Sequence, residues 1–123
     1  MKNIATNKQS DQVLLQQFVQ LCLAQHEALV DLDTRRYNKL FDQMTAVIDE
    51  LKSRDGDQRR LLTNLYSHAN AQVRLKAAIN TLAHDREQAM QVLQQIVDRK
   101  EKPQLPYAWG MLDAIKEGRY VPE

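Results

Sequence analysis

The three histidines are the residues that could hold a metal ion or transfer protons near neutral pH. His26, His68 and His84 are widely spaced along the chain. His26 precedes Glu27, but no second histidine stands at the spacing of a zinc-protease helix. A zinc site would therefore require the fold to bring the rings together with carboxylates. Because His68 and His84 lie near predicted helix C-termini, where a partial positive charge is favourable, we interpret them as structural and predict no metal site.

Nucleophilic and acid–base chemistry have few other candidates. Cys22 lies on an apolar stripe, with no histidine, cation or helix N-terminus close in sequence to favour its thiolate, so we predict a buried, unreactive thiol. The carboxylate pairs Asp31/Asp33 and Asp49/Glu50 could in principle exchange protons, but solvated helix ends and faces account for them. The three glycines are isolated and form no phosphate-binding loop. The sequence predicts no catalytic residues, no cofactor and no enzyme.

Two basic clusters raise the question of nucleic-acid binding. One joins Arg35 and Arg36 to Lys39, and the other is Arg59-Arg60. Acidic residues flank both clusters and would weaken the attraction to phosphate that dominates such binding. The whole chain carries 17 Lys plus Arg against 16 Asp plus Glu, a formal net charge of +1. The near-zero net charge therefore disfavours nucleic-acid binding, which we keep as the alternative function.

The composition predicts one folded domain. The 123 residues are 43% hydrophobic and 27% charged, with three Gly and three Pro, which is typical of a chain that buries its own core. Residues 1–9 are polar and lack the apolar stretch of a signal peptide, so we predict that they are flexible and that residues 10–123 form a single domain. No apolar window reaches the length of about 20 residues that a membrane span needs. With a single cysteine, these features predict a soluble, cytoplasmic protein.

Apolar residues recur at helical spacing throughout, and this pattern predicts an all-α fold of about six helices. The first helix is predicted to begin after Ser10 as N-cap and to end near Val30. The second, over Thr34–Ser53, carries an apolar stripe from Tyr37 to Leu51. Gly56 is suited to the turn that follows.

The remaining four helices are shorter. The third is predicted over residues 58–68, and the fourth begins after Asn70 as N-cap. The fifth begins at Asp85, which with Gln88 resembles a capping box. A linker at residues 100–106 contains two prolines, and the sixth helix is predicted over residues 107–117, ended by Gly118.

Residues 61–78 look like a HEAT-type repeat. A leucine-rich helix and a short polar turn precede Val73-Arg74 and the pair Ala77-Ala78. The alanine pair predicts a close approach of two helices, and the guanidinium of Arg74 is expected to bond a neighbouring turn. We therefore predict antiparallel helical hairpins in a HEAT/ARM-like right-handed α–α superhelix, although one copy is fewer than the three or so repeats that a solenoid needs.

Over about residues 30–120 the sequence also resembles a known family. The resemblance includes the segment 37–44, the repeat above, and Gly110-Met111-Leu112 before Glu117-Gly118. The chain resembles a prokaryotic family of short, HEAT-like, all-helical proteins that is a domain of unknown function. Some members are similar to chains encoded beside polymorphic or contact-dependent toxins. The resemblance implies a non-enzymatic immunity protein that binds and occludes a cognate bacterial toxin, and it carries no catalytic residues.

A partner surface is expected if the predicted hairpins stack. The second helices of such arrays line a common binding face. On helical geometry its residues are Lys39, Gln43, Lys76, Asn80, Trp109 and Asp113. A polar surface with one aromatic anchor suits a protein partner better than a small apolar ligand. Trp109 is expected to be at least partly exposed, and with Tyr107 it either anchors a partner or covers the edge of the array.

Overall fold

The computed structural model describes residues 6–123, so residues 1–5 of the segment predicted to be flexible lie outside the described residues. Between residues 6 and 123 every regular element is a helix and no strand occurs, as the periodicity predicted. The elements are the 3-10 helix Thr6–Lys8, α1 (Asp11–Val30), α2 (Thr34–Ser53), the 3-10 helix Gln58–Leu65, α3 (Ala71–Ile79), α4 (Arg86–Asp98) and α5 (Leu105–Lys116). The chain divides into two compact units, and the boundary lies between Leu61 and Leu62.

All six predicted helices are present as helical segments, but two of them differ in detail. The third is a 3-10 helix, and its buried residues Arg59 and Leu62 stand three residues apart, the spacing that aligns side chains on a 3-10 helix. The last helix, α5, begins at Leu105 instead of residue 107. Pro106 occupies the first turn of α5, where a missing N–H removes no helix hydrogen bond.

The first unit is built on a hairpin of α1 and α2, which pack on each other. The buried residues of both helices recur every three or four positions, as an amphipathic helix requires; they are Leu14, Phe18, Cys22, Gln25, Ala28, Met44, Val47 and Leu51. Asp33 caps α2 by accepting the N–H of Arg36 at 3.1 Å. Phe41, expected on the buried stripe of α2, is instead 47% exposed.

Arg54 ties the residues before α1 to the end of α2. Its Nη1 donates to the Asp11 carboxylate at 2.7 Å, and its Nε donates to Glu50 at 2.9 Å. Its Nη2 donates to the carbonyl oxygens of Thr6 and Gln9. The two carboxylates, Glu50 before Asp11, raise the pKa of the guanidinium. One side chain thus satisfies several groups of the segment that leads into α1.

The second unit is organised around α3, seven of whose nine residues are buried. The predicted alanine pair is confirmed as fully buried, since Ala77 and Ala78 are both 0% exposed. Ala78 belongs to one apolar core with residues of α4 and α5. Small side chains allow helix axes to approach toward the lower end of about 8–10 Å. Gln72 of α3 is also buried and accepts a hydrogen bond from Gln104 Nε2 at 3.0 Å, just before α5.

Most predicted helix ends are confirmed. Ser10 accepts the Val13 N–H, and Asn70 accepts the Gln72 N–H at 2.8 Å. Gly118 has φ +75° after the end of α5, a conformation that suits glycine. The capping box was wrong, because Asp85 occupies the N-cap position of α4 without a side-chain capping hydrogen bond.

The buried alanines generate a first prediction. Replacing Ala78 by leucine inserts a larger side chain into a core with no exposed surface at that position, and overpacking of this kind costs about 1–3 kcal/mol. Ala78→Leu is expected to lower the melting temperature, measured by circular dichroism. The matched control is Ala46→Leu at an exposed position of α2, where a change within about 0.5 kcal/mol is expected. Equal effects of the two substitutions would contradict the close packing of α3.

Candidate functional site

Four of the six residues predicted to bind a partner lie on α2 and α3. Lys39 and Gln43 are exposed and one turn apart on α2, in the first unit. Lys76 and Asn80 lie at the end of α3 in the second unit and are half-buried. The Asn80 side chain donates to the Lys76 carbonyl oxygen at 2.8 Å, so part of its hydrogen-bonding capacity is used within the helix end. The structure therefore places Lys39 beside Gln43 on α2, and Lys76 beside Asn80 at the end of α3.

The other two predicted residues lie on α5, whose outward face is the most aromatic exposed surface of the second unit. Ala108, Leu112 and Ile115 are buried in the core. At about 100° per residue, Gly110 faces the opposite side of the helix, and Tyr107 and Trp109 lie on its two flanks. Tyr107 is 50% and Trp109 61% exposed, which confirms the expected exposure of Trp109. We call this surface, from Pro106 to Asp113, the outward face of α5.

Gly110 has no packing role within the residues that the structure describes. A Cβ added at this position would have nothing within 4 Å beyond its chain neighbours and its own helix backbone. Glycine inside a helix costs about 0.5–1 kcal/mol relative to alanine. The outward face of α5 therefore carries a glycine that core packing does not explain. Sequence reasoning used Gly110 only in the family resemblance, although a glycine in the middle of a predicted helix was a readable signal.

Trp109 also borders a small groove of about 210 Å³ between α4 and α5. Val97 and Leu112 supply apolar surface there, and Asp113 and Lys116 supply charge. The Asp113 carboxylate accepts from Arg119 Nη2 at 2.8 Å. Trp109 and Asp113 are thus brought together at one groove, as their spacing of one turn predicts.

A larger cleft of about 620 Å³ lies elsewhere in the second unit. One wall is the turn at residues 66–69, the other is a glutamine-rich side of α4, and Arg74 and Glu101 also line it. Tyr66 in this turn bonds the hydroxyl of Thr81, and burial is the largest cause of the raised pKa of the Tyr66 phenol. Sequence reasoning missed this cleft, because its walls come from segments that are distant along the chain.

Arg74 fixes the turn at one wall of the cleft. Its Nε donates to the His68 carbonyl oxygen at 2.7 Å and its Nη2 to the Ala69 carbonyl oxygen at 3.3 Å. Both Nη atoms donate to the Glu101 carboxylate at 2.7 Å, the bidentate geometry that favours arginine over lysine. The hydrogen bond from Arg74 is the main cause that lowers the pKa of Glu101. The expected bond from Arg74 to a neighbouring turn is confirmed.

The other candidate residues for chemistry have structural surroundings. Cys22 is fully buried, as predicted. His68 Nδ1 accepts the Asn70 N–H at 3.0 Å, a contact within the turn that follows the 3-10 helix Gln58–Leu65. Among residues 6–123, no group of three or more His, Cys, Asp or Glu side chains stands close enough to hold a metal ion.

The basic clusters are partly neutralised. Arg59 is 8% exposed and donates from Nε and Nη2 to the Asp57 carboxylate, the shorter distance being 2.7 Å. Arg36 lies 3.5 Å from a carboxylate oxygen of Glu27. Such pairs reduce the charge that these clusters can present to phosphate. In the same described part of the chain, no helix is both long enough and apolar enough to cross a membrane.

These features define a small all-helical protein with two exposed concave surfaces in its second unit. A family model described as a domain of unknown function, DUF2019, matches residues 12–116, and the chain belongs to this family. The crystal structure of the protein RPA1889 from Rhodopseudomonas palustris CGA009 is similar, with 37% sequence identity and a TM-score of 0.93. The match covers 98% of this chain and 100% of that chain. No curated protein matches the sequence.

The Arg74 network generates a stability prediction. Arg74→Met leaves two carbonyl oxygens and a carboxylate without their donors, and losses of this kind cost about 2–4 kcal/mol. The free energy of unfolding is measured by urea titration. The control is Arg119→Met, which breaks ion pairs whose side chains are at least 40% exposed, and a loss below about 1 kcal/mol is expected there. Similar losses in both variants would show that Arg74 contributes no more than a surface ion pair.

The lowered pKa of Glu101 generates a pH prediction. A carboxylate with a lowered pKa in the folded state stabilises the protein above its unfolded pKa, near 4.5, and this contribution is lost as the pH falls through the folded value. The stability difference between the wild type and Glu101→Gln is therefore expected to shrink as the pH falls below 4.5. Glu87→Gln, at an exposed position of α4, is the control, and its difference from the wild type should change less. A Glu101→Gln difference that is constant with pH would contradict the ion pair.

Proposed function

We propose that the protein is a non-enzymatic protein-binding module and that the outward face of α5 is a contact surface. The observation that carries the proposal is the combination of Gly110 with exposed Tyr107 and Trp109. Trp and Tyr are enriched among the residues that contribute most to protein interfaces. Glycine between them leaves space for the close approach of another backbone, at the cost of helix stability. A surface that sacrifices stability in this way is expected where binding is the function.

The proposed partner follows from the resemblance of the sequence to chains encoded beside bacterial toxins. As an immunity protein, the chain would bind a cognate bacterial toxin and occlude its active cleft or substrate channel. Lys39, Gln43, Lys76, Asn80 and Asp113 are kept in the proposed contact set with Trp109. The HEAT/ARM-like superhelix and the cytoplasmic location belong to the same proposal. The support for the superhelix is the buried alanine pair and the Arg74 network, and the support for the cytoplasm is the single cysteine.

Nucleic acid is the alternative partner, and it has weaker support. Its binding would rest on cations that attract phosphate, yet Arg59 is buried against Asp57 and Arg36 lies beside Glu27. The outward face of α5 contributes aromatic surface rather than a basic patch. A shift of mixed-sequence DNA at low ionic strength that disappears with salt would favour this alternative over a protein partner.

The test is complex formation with the product of the gene encoded next to this one. The wild-type chain is expected to form a stable complex in co-purification and calorimetry, and Trp109→Ala is expected to weaken it at least tenfold. Gly110→Ala separates binding from folding: it should raise the free energy of unfolding by about 0.5–1 kcal/mol and still weaken the complex. If Gly110 had only a structural role, Gly110→Ala would not raise the free energy of unfolding and weaken the complex at the same time.

The control is Val121→Ala, which removes an exposed apolar side chain (73% exposed) from the same unit but outside the outward face of α5. It should leave the affinity unchanged. Absence of any complex with the neighbouring gene product would overturn the immunity proposal. A complex that tolerates both Trp109→Ala and Gly110→Ala would overturn the assignment of the contact surface.

A further inference from the structure

The 620 Å³ cleft lies on a different side of α4 from the Trp109 groove. Gln88, Gln91, Gln95 and Arg99 line the cleft, whereas Gln94 and Val97 line the groove. At 100° per residue, these two sets face away from each other. The buried residues of α4, such as Leu93 and Ile96, lie between them on one side. The cleft is therefore a separate surface from the outward face of α5, and a ligand bound in it is independent of the proposed function.

The α4 wall of the cleft is a row of carboxamides. Gln88, Gln91 and Gln95 are exposed, and with Arg99 they follow the spacing i, i+3, i+7 and i+11 that keeps side chains on one helix face. A glutamine side chain carries both a donor and an acceptor, the same pair of groups that a peptide backbone presents. From residue 88 to residue 99 the helix rises about 16 Å at 1.5 Å per residue. This length matches about five residues of extended chain.

The charge of the cleft favours an acidic occupant. The lining holds two cations, Arg74 and the exposed Arg99, against one carboxylate. Glu101 is the carboxylate in the lining, and both of its oxygens already accept from Arg74. His68 Nδ1 accepts the Asn70 N–H, which leaves Nε2 as the ring atom that can donate to a ligand. Val92 is the single aliphatic side chain larger than alanine in the lining, so the cleft is not built for an apolar ligand.

We propose that this cleft binds an extended acidic segment of a polypeptide, with the glutamine row of α4 bonding the peptide backbone and Arg99 receiving a carboxylate. An acidic peptide fits better than a nucleic acid, because carboxamides match backbone amides. Besides Arg74, which is paired with Glu101, Arg99 is the one Lys or Arg in the lining, too few cations for a continuous row of phosphates. Arg74 acts as a positioning residue, since its donors hold the turn at residues 66–69 and neutralise Glu101.

The test is a titration of the isotope-labelled full chain with acetylated, amidated pentaglutamate, followed by backbone amide NMR shifts. Shifts are expected at residues 66–69 and 88–99, with saturation, and the dissociation constant should rise at least fivefold in Gln91→Ala/Gln95→Ala and in Arg99→Ala. Gln94→Ala is the matched control, because it removes a glutamine from the same helix on the groove side, and it should leave the constant unchanged. Trp109→Ala should also leave it unchanged, which separates this result from failure of the proposed function.

Three comparison probes complete the test. Free glutamate at equal carboxylate concentration should shift these residues much less, because it offers no backbone to the glutamine row. Equal binding of pentalysine would overturn the proposed acidic character. Binding of a five-nucleotide oligothymidylate at the same residues with equal or higher affinity would overturn the peptide assignment in favour of phosphate. Shifts spread over all exposed cations, or no shift with pentaglutamate, would overturn the site altogether.

Discussion

The second unit depends on the placement of one guanidinium. Arg74 is 6% exposed, and such a cation is tolerated only when its donors are satisfied. It reaches the carbonyl oxygens of the turn before its own helix and the Glu101 carboxylate after α4. The consequence is that α3 cannot shift along its axis without breaking bonds on both sides. The position of α3 in turn aligns Ala78 with the core residues of α4 and α5.

The end of α4 delivers Glu101 to this guanidinium. Lys100 has φ +53°, and the Glu101 N–H then bonds back to the Ile96 carbonyl oxygen at 3.1 Å, the pattern of a Schellman helix end. A left-handed lysine is unfavourable relative to glycine. The bidentate ion pair between Arg74 and Glu101 offsets part of that cost. It therefore helps to hold Lys100 in the left-handed conformation. Gly118 closes α5 in the same way, with the Arg119 N–H bonded to the Ala114 carbonyl oxygen.

The sequence was sufficient where the physics is local. The bounds of α2, the caps at Ser10 and Asn70 and the burial of the alanine pair follow from spacing and side-chain type, and all are confirmed. The 3-10 form of residues 58–65 was not predictable, because its apolar spacing also fits an α-helix. The partner of Arg74 was not predictable either, since Glu101 lies 27 positions away. The cleft was missed for the same reason: its walls are adjacent only after folding.

Helix geometry explains why so short a unit leaves two surfaces open. The core side chains of α4 are Ala89, Val92, Leu93 and Ile96, which cover less than half of the helix circumference. The residues on the two sides of that stripe differ. Met90 and Val97 on one side are partly buried and pack against the core, whereas the three glutamines that line the cleft are exposed on the other side. One side presents glutamines and arginine, and the other contacts the aromatic start of α5. Because core packing does not dictate the choice of these glutamines, the polarity of the cleft is a property of the surface rather than a by-product of folding.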